Sequence, residues 1–285
     1  MTTKTRWCLL AFAAALFTLF APLARTAAPN SFRFEILGDR TGEAQPGVYE
    51  EAWREAAADN PAFVLTVGDT IEGYNDATAN AEWNAMEQLL KPWHNIPLYL
   101  TPGNHDIWSP ASEALFREHA HHAPHYSFDY GAAHFTILDN SRTEEFSADE
   151  LAFLEQDIES HADRPLKFIV SHKPCWLIDA VMGSPDFPVQ RFAKKYGVRF
   201  VIAGHLHEML HADLDGVSYV SMASSGGHLR ASKKYEDGWF FEHTRVDVSG
   251  TEVRFEIHEL QPPFGQGRVT QLAEWGVAGL VNQHR

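Results

Sequence analysis

Residues 62–69, AFVLTVGD, join an apolar run to a Gly-Asp pair, and this combination recurs on both sides of it. The apolar run has the length of one buried strand, and the polar pair marks the point where that strand would end. Upstream, FRFEILGD (32–39) has the same form; downstream, IPLYLTPGNHD (96–106) ends in four polar or flexible residues. Amphipathic stretches at 48–59 and 81–93 separate the three runs. This alternation predicts an α/β sheet of parallel strands covered by helices.

The remainder of the chain predicts a second set of strands and helices. Residues 125–140 are typical of a hairpin that turns at Tyr130-Gly131, and residues 147–160 are typical of a helix. Ser147 and Glu150 have the capping-box spacing at the start of that helix. Further strands are predicted at 166–174, 198–207, 217–224, 238–248 and 251–260, and a further helix at 188–197. Because the last of these segments alternate in β fashion, we expect a second, largely antiparallel sheet packed on the first.

The first 28 residues have the layout of a secretory signal peptide. Lys4 and Arg6 precede an apolar run from Trp7 to Ala24, and small residues follow it. The run is also long enough for an uncleaved membrane anchor. We expect cleavage, and therefore a periplasmic or secreted protein with no stable membrane insertion. The predicted division is a signal peptide at 1–28, one domain at 29–260 and a C-terminal tail at 261–285.

Charge and cysteine content narrow the function classes. Without residues 1–28, the chain carries 20 Lys and Arg against 38 Asp and Glu, a net charge of −18. Such a surface repels nucleic acid backbones, so nucleic acid is not an expected partner. A small anionic substrate is compatible with this charge if bound metal reverses the local field. Cys175 is the one cysteine after residue 28, and it is either a nucleophile or a plain thiol near a strand end.

Metal-binding side chains follow the predicted strands. They are Asp39, Asp69, Asn104, His105, His172, His205 and His207. The carboxyl ends of parallel strands lie at one edge of a sheet, so these side chains are expected to meet there. Either Gly-Asp pair alone is also typical of an ordinary turn, whereas the ordered set of five motifs is not. Carboxylates, an amide oxygen and imidazoles suit Mn, Fe or Zn. Six ligands suit two ions that share a carboxylate, as in sites that catalyse displacement at phosphorus.

The ordered series GD, GD, GNHD, SH and GHLH resembles the calcineurin-like metallophosphoesterase superfamily over residues 33 to about 258. The resemblance implies a four-layer α-β-β-α sandwich, with two mixed sheets flanked by helices. It also implies a hydrolase with two divalent or trivalent metal ions, in which an activated hydroxide attacks a phosphate mono- or diester. The series is specific for the superfamily and far less specific for the substrate.

The resemblance also implies roles for the individual side chains. Asp69 would bridge both ions, and five residues would complete the two sites: Asp39 and His207 for the first ion, and Asn104, His172 and His205 for the second. His105 would face the substrate, stabilise the phosphoryl transition state and protonate the leaving oxygen. Asp106 would orient His105 and raise its pKa, as a paired carboxylate does.

The first motif departs from the pattern of the superfamily, which has Asp-x-His where this chain has Thr41. A neutral hydroxyl is a weak ligand for a transition metal, so the first site has either lost a donor or takes one from elsewhere. Glu72 is one candidate, because purple acid phosphatases place a metal-binding Tyr at that spacing and also lack the first-motif His. Many relatives have a non-binding acid there. Arg40 either holds a substrate phosphate or is an ordinary turn residue.

Several other side chains near the motifs have two interpretations each. Trp108, Trp176 and His228 either line a pocket, where an aromatic ring can stack on a base or aryl group, or serve only in packing. The run His119, His121, His122 and His125 is either a metal site or a solvated helix end.

The favoured function is an exported metal-dependent phosphoesterase for a small phosphoester substrate. The alternative, prompted by Thr41, is a metal- or ligand-binding protein on the same fold with little catalysis. A nuclease of the same superfamily is disfavoured by the charge and by export. No feature of the sequence indicates an oligomeric state.

Overall fold

The computed structural model describes residues 31–229, 232–278 and 281–282, and its first half alternates strands with helices. This half contains β1 (Ser31–Leu37), α1 (Val48–Ala58), β2 (Val64–Thr66), α2 (Ala79–Leu90), β3 (Leu98–Tyr99) and α3 (Pro110–Ala120). The middle contains β4 (Tyr126–Tyr130), β5 (Ala133–Ile137), α4 (Ala148–Ser160), β6 (Leu166–Val170), α5 (Leu177–Met182) and α6 (Pro188–Tyr196). The last part contains β7 (Phe200–Ala203), β8 (Leu210–Leu214), β9 (Val217–Ser221), β10 (Glu242–Ser249), β11 (Glu252–Glu259), β12 (Val269–Thr270), β13 (Val277–Ala278) and β14 (Val281–Asn282).

Two six-stranded mixed sheets organise these elements. Sheet A has the order β12-β11-β10-β1-β2-β3, and sheet B has the order β4-β5-β6-β7-β9-β8. In sheet A, β1, β2 and β3 are parallel; β10 pairs antiparallel with β1, and β11 pairs antiparallel with β10. With helices on both outer faces, this is the predicted four-layer α-β-β-α sandwich.

The two sheets differ from the prediction in two respects. The last long strands, β10 and β11, join sheet A, and sheet B is not largely antiparallel because three of its five pairings are parallel. The prediction was wrong because it assigned strands to sheets by their order in the chain. β5, β6 and β7 are buried along their whole length, as central parallel strands are when both of their faces are covered.

Aromatic side chains fill the space between the sheets. Phe34 and Phe63 of the sheet A side stack with ring centroids 4.9 Å apart, and Phe135 and Phe168 of sheet B stack at 4.6 Å. Phe34 meets Phe135 edge-on at 5.4 Å, which joins the two sheets. Each such pair contributes about 0.5–1.5 kcal/mol beyond its buried area. The stacking therefore fixes how the sheets lie on each other, and with it the relative positions of their strand ends.

Helices cover the outer faces. Trp53 of α1 packs with Leu37 and Val64 on sheet A, and Leu154 of α4 packs with Ile169 on sheet B. The start of α4 follows the predicted capping pattern in part: Ser147 accepts a hydrogen bond from the backbone N–H of Glu150. The Glu150 carboxylate, however, accepts from the N–H of Asp139 and not from the cap residue.

The segment predicted as a tail contacts the domain, because β12 pairs with β11 and Trp275 is buried in the core between the sheets. The predicted signal peptide lies outside the described residues. None of the helices in the described ranges has the length and apolar character needed to cross a bilayer.

Candidate metal centre

The six predicted metal ligands meet at one end of the seam between the sheets. They follow the strands directly: Asp39 after β1, Asp69 after β2, Asn104 after β3, His172 after β6, and His205 and His207 after β7. Sheet A therefore supplies the oxygen donors, and sheet B supplies the imidazoles. The sequence analysis placed these ends on one sheet edge, whereas the structure divides them between two sheets whose edges coincide.

The ligand atoms form two groups that share Asp69. In one group, Asp39, Asp69 and His207 offer atoms within 4.8 Å of one another, and in the other Asp69, His172 and His205 do so. Asn104 adjoins the second group, since its Oδ1 lies 2.9 Å from His172 Nε2. Such an arrangement has the form of two ion sites with one common carboxylate.

Two observations show that these residues fit metal ions. The buried atoms Asp69 Oδ2 and His207 Nε2 make no hydrogen bond, and their charge contacts are long, at 3.3 Å to His172 Nε2 and 3.5 Å to Asp39 Oδ1. A buried polar atom without a hydrogen bond costs about 1–3 kcal/mol. Both residues belong to the group formed with Asp39. The donor set of carboxylate, amide and imidazole is also the one that Mn, Fe or Zn accepts.

Backbone carbonyls orient two of the imidazoles. His172 Nδ1 is 2.8 Å from the Val67 carbonyl oxygen, and His207 Nδ1 is 2.5 Å from that of His228. A carbonyl oxygen can only accept a hydrogen bond, so each Nδ1 carries a proton. Each Nε2 is then the ring atom that would bind an ion at the centre. His228 thus contributes its backbone to the site, while its side chain is half exposed.

The loops that present the ligands have unusual backbone geometry. Asp69, His205 and His207 have φ angles of 56°, 71° and 58°, in the left-handed region that costs a non-glycine residue about 1–2 kcal/mol. Gly103 is required by close approach, because a Cβ there would lie 2.2 Å from Asp69 Oδ1. Strain of this kind at ligand positions is typical of a functional site.

Charge coupling links the ligands to one another. Burial alone would lower the pKa of His172, but Asp69 and Asp39 raise it to about 9. Burial alone would raise the pKa of Asp69, but His172 and His105 bring it well below its usual range. Protons and metal ions therefore compete for these ligand atoms.

His105 lies beside this cluster without belonging to either group of ligand atoms. Its Nε2 is 4.0 Å from Asp69 Oδ2, and its Nδ1 donates to the Glu72 carbonyl oxygen at 2.6 Å. Its backbone N–H donates to Asp69 Oδ1 at 2.9 Å. The ring is thus fixed through Nδ1, and Nε2 is the atom that can exchange a proton.

Asp106 has different partners from those expected. The sequence analysis expected it to orient His105, but its carboxylate accepts hydrogen bonds from the backbone N–H groups of Gly103, Thr70 and Ile71. Burial raises the pKa of Asp106 to about 7. Asp106 therefore holds together the two loops that carry Asp69 and His105, and the Glu72 carbonyl takes the direct contact with the His105 ring.

Glu72 and Thr41 lie at the edge of the first group of ligands. The Glu72 carboxylate accepts from the N–H groups of Ala44 and Glu43 at 2.7 and 3.3 Å, and Glu72 belongs to neither metal-capable group among the described residues. Thr41 is fully buried, with its hydroxyl close to Glu72 but outside hydrogen-bond geometry. Partial burial raises the pKa of Glu72, yet this hydroxyl and the two N–H groups lower it more. Arg40 donates to the Thr70 carbonyl at 2.9 Å and so ties the first two loops.

The structure separates the other candidate residues. Trp108 borders an open cavity next to Asn104, whereas Trp176 is buried in the core below α5. Burial raises the pKa of Cys175 to about 12, which argues against a nucleophilic thiol. Tyr74 lines the same cavity as Trp108. It was not predicted as a site residue, because it belongs to none of the sequence motifs.

The histidine run on and after α3 has ordinary partners. His119 contacts Glu87 and Asn80, and His125 contacts Glu150. Neither histidine belongs to a metal-capable group within the described residues. The His119 side chain is 8% exposed and stacks on Trp83, so this histidine is a packing residue, which neither interpretation of the run anticipated.

A third group of potential metal ligands lies elsewhere, at Asp129, His134 and His161. Its donors are already satisfied: His134 lies between Asp129 and Asp157, at 2.8 Å from each, and Arg164 takes the other oxygen of Asp129. None of these atoms is a buried donor or acceptor without a partner. We interpret this group as a hydrogen-bonded ion-pair network, in contrast to the centre at the seam.

Comparisons with known proteins agree with this geometry. Purple acid phosphatase 23 of Arabidopsis thaliana is 25% identical, covering 66% of this chain and 52% of its own length, so the chain spans about half of that relative. Three solved structures share the fold at 14% identity. They are the purple acid phosphatase PPD1 of yellow lupin (TM-score 0.63; 85% of this chain, 53% of that one), PhoD (0.59; 86% and 69%) and GAP50 of Plasmodium (0.59; 85% and 88%). The sequence pattern of the calcineurin-like phosphoesterases (Metallophos) matches residues 33–209. With the ligand cluster in place, the match shows that the chain belongs to the calcineurin-like phosphoesterase family.

Proposed function

We propose that the protein is an exported, metal-dependent phosphoesterase that hydrolyses small phosphate mono- or diesters. The observation that carries the proposal is the cluster of six ligands in two groups around Asp69, with His105 beside it and outside both groups. When bound, two ions supply an acidified water at neutral pH and positive charge for the phosphoryl oxygens. Mn, Fe and Zn all suit the donors.

The residues of the chain supply the remaining chemistry. His105 Nδ1 stays protonated because it donates to the Glu72 carbonyl, so Nε2 can hold a second proton and release it to the leaving oxygen. Asp106 keeps the His105 loop against the Asp69 loop through three backbone N–H groups. The carbonyls of Val67 and His228 keep the imidazole donors aimed at the centre.

The size and charge of the surroundings support a small substrate. The cavity beside Asn104 and His205 has a volume of about 390 Å³, which is in the range of small-molecule sites. The acidic composition disfavours long nucleic acids, whose binding is led by Lys and Arg. The layout of residues 1–28 supports export to a periplasm or beyond the cell. Fractionation of the expressing cells tests this location.

The alternative is a binding protein with little catalysis. GAP50, which shares the fold, is described as an anchor in the inner membrane complex of Plasmodium, so the fold alone does not imply hydrolysis. Thr41 in place of the first-motif histidine favours this alternative, while Asp69 Oδ2 and His207 Nε2, which are buried without a hydrogen bond, favour a loaded centre.

Metal analysis combined with a hydrolysis screen separates the two functions. The purified protein is loaded with Mn, Zn or Fe and assayed against monoesters, cyclic and linear diesters and nucleotide pyrophosphates. About two ions per chain and EDTA-sensitive hydrolysis support the enzyme. One ion per chain and no hydrolysis support the binding protein.

A further inference from the structure

The cavity next to the metal centre has an aromatic side. Tyr74 and Trp108, here called the aromatic wall, line it together with Ile107, and the cavity reaches Asn104 and His205 of the second ligand group. The Tyr74 ring lies 5.8 Å from the ring of Trp108 and 4.7 Å from that of His105. The aromatic wall therefore lies directly beside the ring of His105, the side chain that can exchange a proton.

Tyr74 is unusual in its exposure. It is 57% exposed, and within the described residues only a few large apolar side chains are exposed to a comparable degree. Its backbone has φ 57°, a left-handed conformation that is unfavourable for an aromatic residue. A ring that is held in a strained conformation and left open to solvent beside a reactive centre points to contact with a ligand.

The loop that carries Tyr74 is held firmly. The N–H of Gly73 donates to Glu82 Oε2 at 2.8 Å, and the Glu72 carbonyl accepts from His105 Nδ1 at 2.6 Å. The approach to the neighbouring loop is so close that a Cβ on Gly73 would lie 1.9 Å from the His105 carbonyl oxygen. These contacts give Tyr74 a fixed place over His105.

The Tyr74 hydroxyl also touches a predicted metal ligand. Asn104 Nδ2 donates to Tyr74 Oη at 2.7 Å, and this contact turns the amide so that Oδ1 lies 2.9 Å from His172 Nε2. The two ends of Tyr74 thus have separate contacts: the ring faces the cavity, and the hydroxyl fixes Asn104.

We propose that Tyr74 determines specificity for the leaving group, by stacking with Trp108 against a planar aromatic or heteroaromatic group, and that its hydroxyl positions Asn104. This inference rests on the proposed function, in which His105 Nε2 protonates the leaving oxygen. A leaving oxygen beside His105 places the organic part of the leaving group next to the aromatic wall. A planar group adds the ring–ring attraction that a saturated group of equal size lacks.

The experiment compares two substrates that differ only in planarity near the leaving oxygen. Benzyl phosphate and cyclohexylmethyl phosphate are both alkyl monoesters of similar size and leaving-group basicity. The full chain, loaded with Mn, is assayed with both substrates as wild type, Tyr74→Leu and Tyr74→Phe. We expect the wild type to prefer the benzyl ester by about 2- to 12-fold in kcat/KM, mainly through KM. Tyr74→Leu should remove this preference, and Tyr74→Phe, the matched control, should keep it.

A second measurement addresses the hydroxyl. Titration calorimetry with Mn should show that Tyr74→Phe binds one ion about 10-fold more weakly, because Asn104 has lost its fixed partner. Metal affinity equal to that of the wild type would overturn the positioning role. An equal ester preference in wild type and Tyr74→Leu would overturn the stacking role and leave the proposed function intact. Hydrolysis of neither ester by a loaded wild type that cleaves other phosphoesters in the screen would overturn this inference alone, and no hydrolysis of any phosphoester would overturn the proposed function.

Discussion

Replacing His105 by Ala tests the role of the centre most directly, because it removes a proton donor and leaves the metal ligands in place. The side chain belongs to neither metal-capable group, with Nε2 4.0 Å from Asp69 Oδ2. The backbone N–H that donates to Asp69 Oδ1 at 2.9 Å is kept in the variant. The variant loses the hydrogen bond to the Glu72 carbonyl, the ring contact with Tyr74 and the long charge contact with Asp69.

These contacts set the expected magnitudes. One lost hydrogen bond costs about 0.5–1.5 kcal/mol of stability, so the variant should fold. A lost general acid costs about 10²- to 10⁴-fold in rate, which is about 3–5 kcal/mol of barrier. The loss should depend on the leaving group. An alkyl phosphate needs the proton, whereas 4-nitrophenyl phosphate leaves as a stable anion and should lose far less.

The assay is kcat for both esters, in wild type and His105→Ala, at equal metal content measured by elemental analysis. Equal losses for the two esters would refute the role of His105 as proton donor. A fall to one ion or none in the variant would refute its place outside the ligand set.

Three other changes test the surroundings of the centre. Gly103→Ala should weaken metal binding in a calorimetric titration, since its Cβ would lie 2.2 Å from Asp69 Oδ1; an unchanged affinity would contradict the close approach. Glu72→Gln should keep two ions per chain, because the carboxylate caps loop N–H groups, and loss of one ion on elemental analysis would instead identify it as a ligand. Although burial lowers the pKa of His243, Glu35 raises it to about 9, so the protonated form stabilises the fold fully below pH 6.5 and this stabilisation is lost as the pH rises towards 9. The melting temperature of the wild type should therefore fall more over that window than that of His243→Gln, and parallel profiles would count against the pair.

The sequence predicted the layered fold and the meeting of the strand ends for a physical reason. A buried strand that ends in Gly-Asp or Gly-His places a polar group at the end of the sheet. Because the strand and its polar end are neighbours in the sequence, this pattern can be recognised from the sequence alone. The same reading failed for β10 and β11. They join sheet A because β10 pairs with β1, about 200 residues earlier in the chain, and β11 pairs with β10; no local pattern carries the first of these pairings.

The side-chain contacts inside the site could not be predicted from the sequence either. Asp106 adjoins His105 in the chain, yet it turns towards the backbone of Gly103, Thr70 and Ile71, because the loop folds back on itself there. Tyr74 belongs to no motif, and its place over His105 follows from a left-handed backbone and from contacts between two loops. Both positions are set by loop geometry, which the spacing of residues along the chain does not determine.

The division of donors between the sheets has a consequence for stability. Since all oxygen donors follow strands of sheet A and all imidazoles follow strands of sheet B, an ion at the seam would act as a reversible cross-link between the two halves of the sandwich. At a free concentration 100 times its Kd, each ion would add about 2.7 kcal/mol to the free energy of unfolding. The affinity would also report the alignment of the sheets. A core substitution at Phe34 or Phe135 that shifts one sheet relative to the other would change the distance between the oxygen and nitrogen ligand atoms. Such a substitution would therefore weaken metal binding, although the substituted ring lies far from the metal centre.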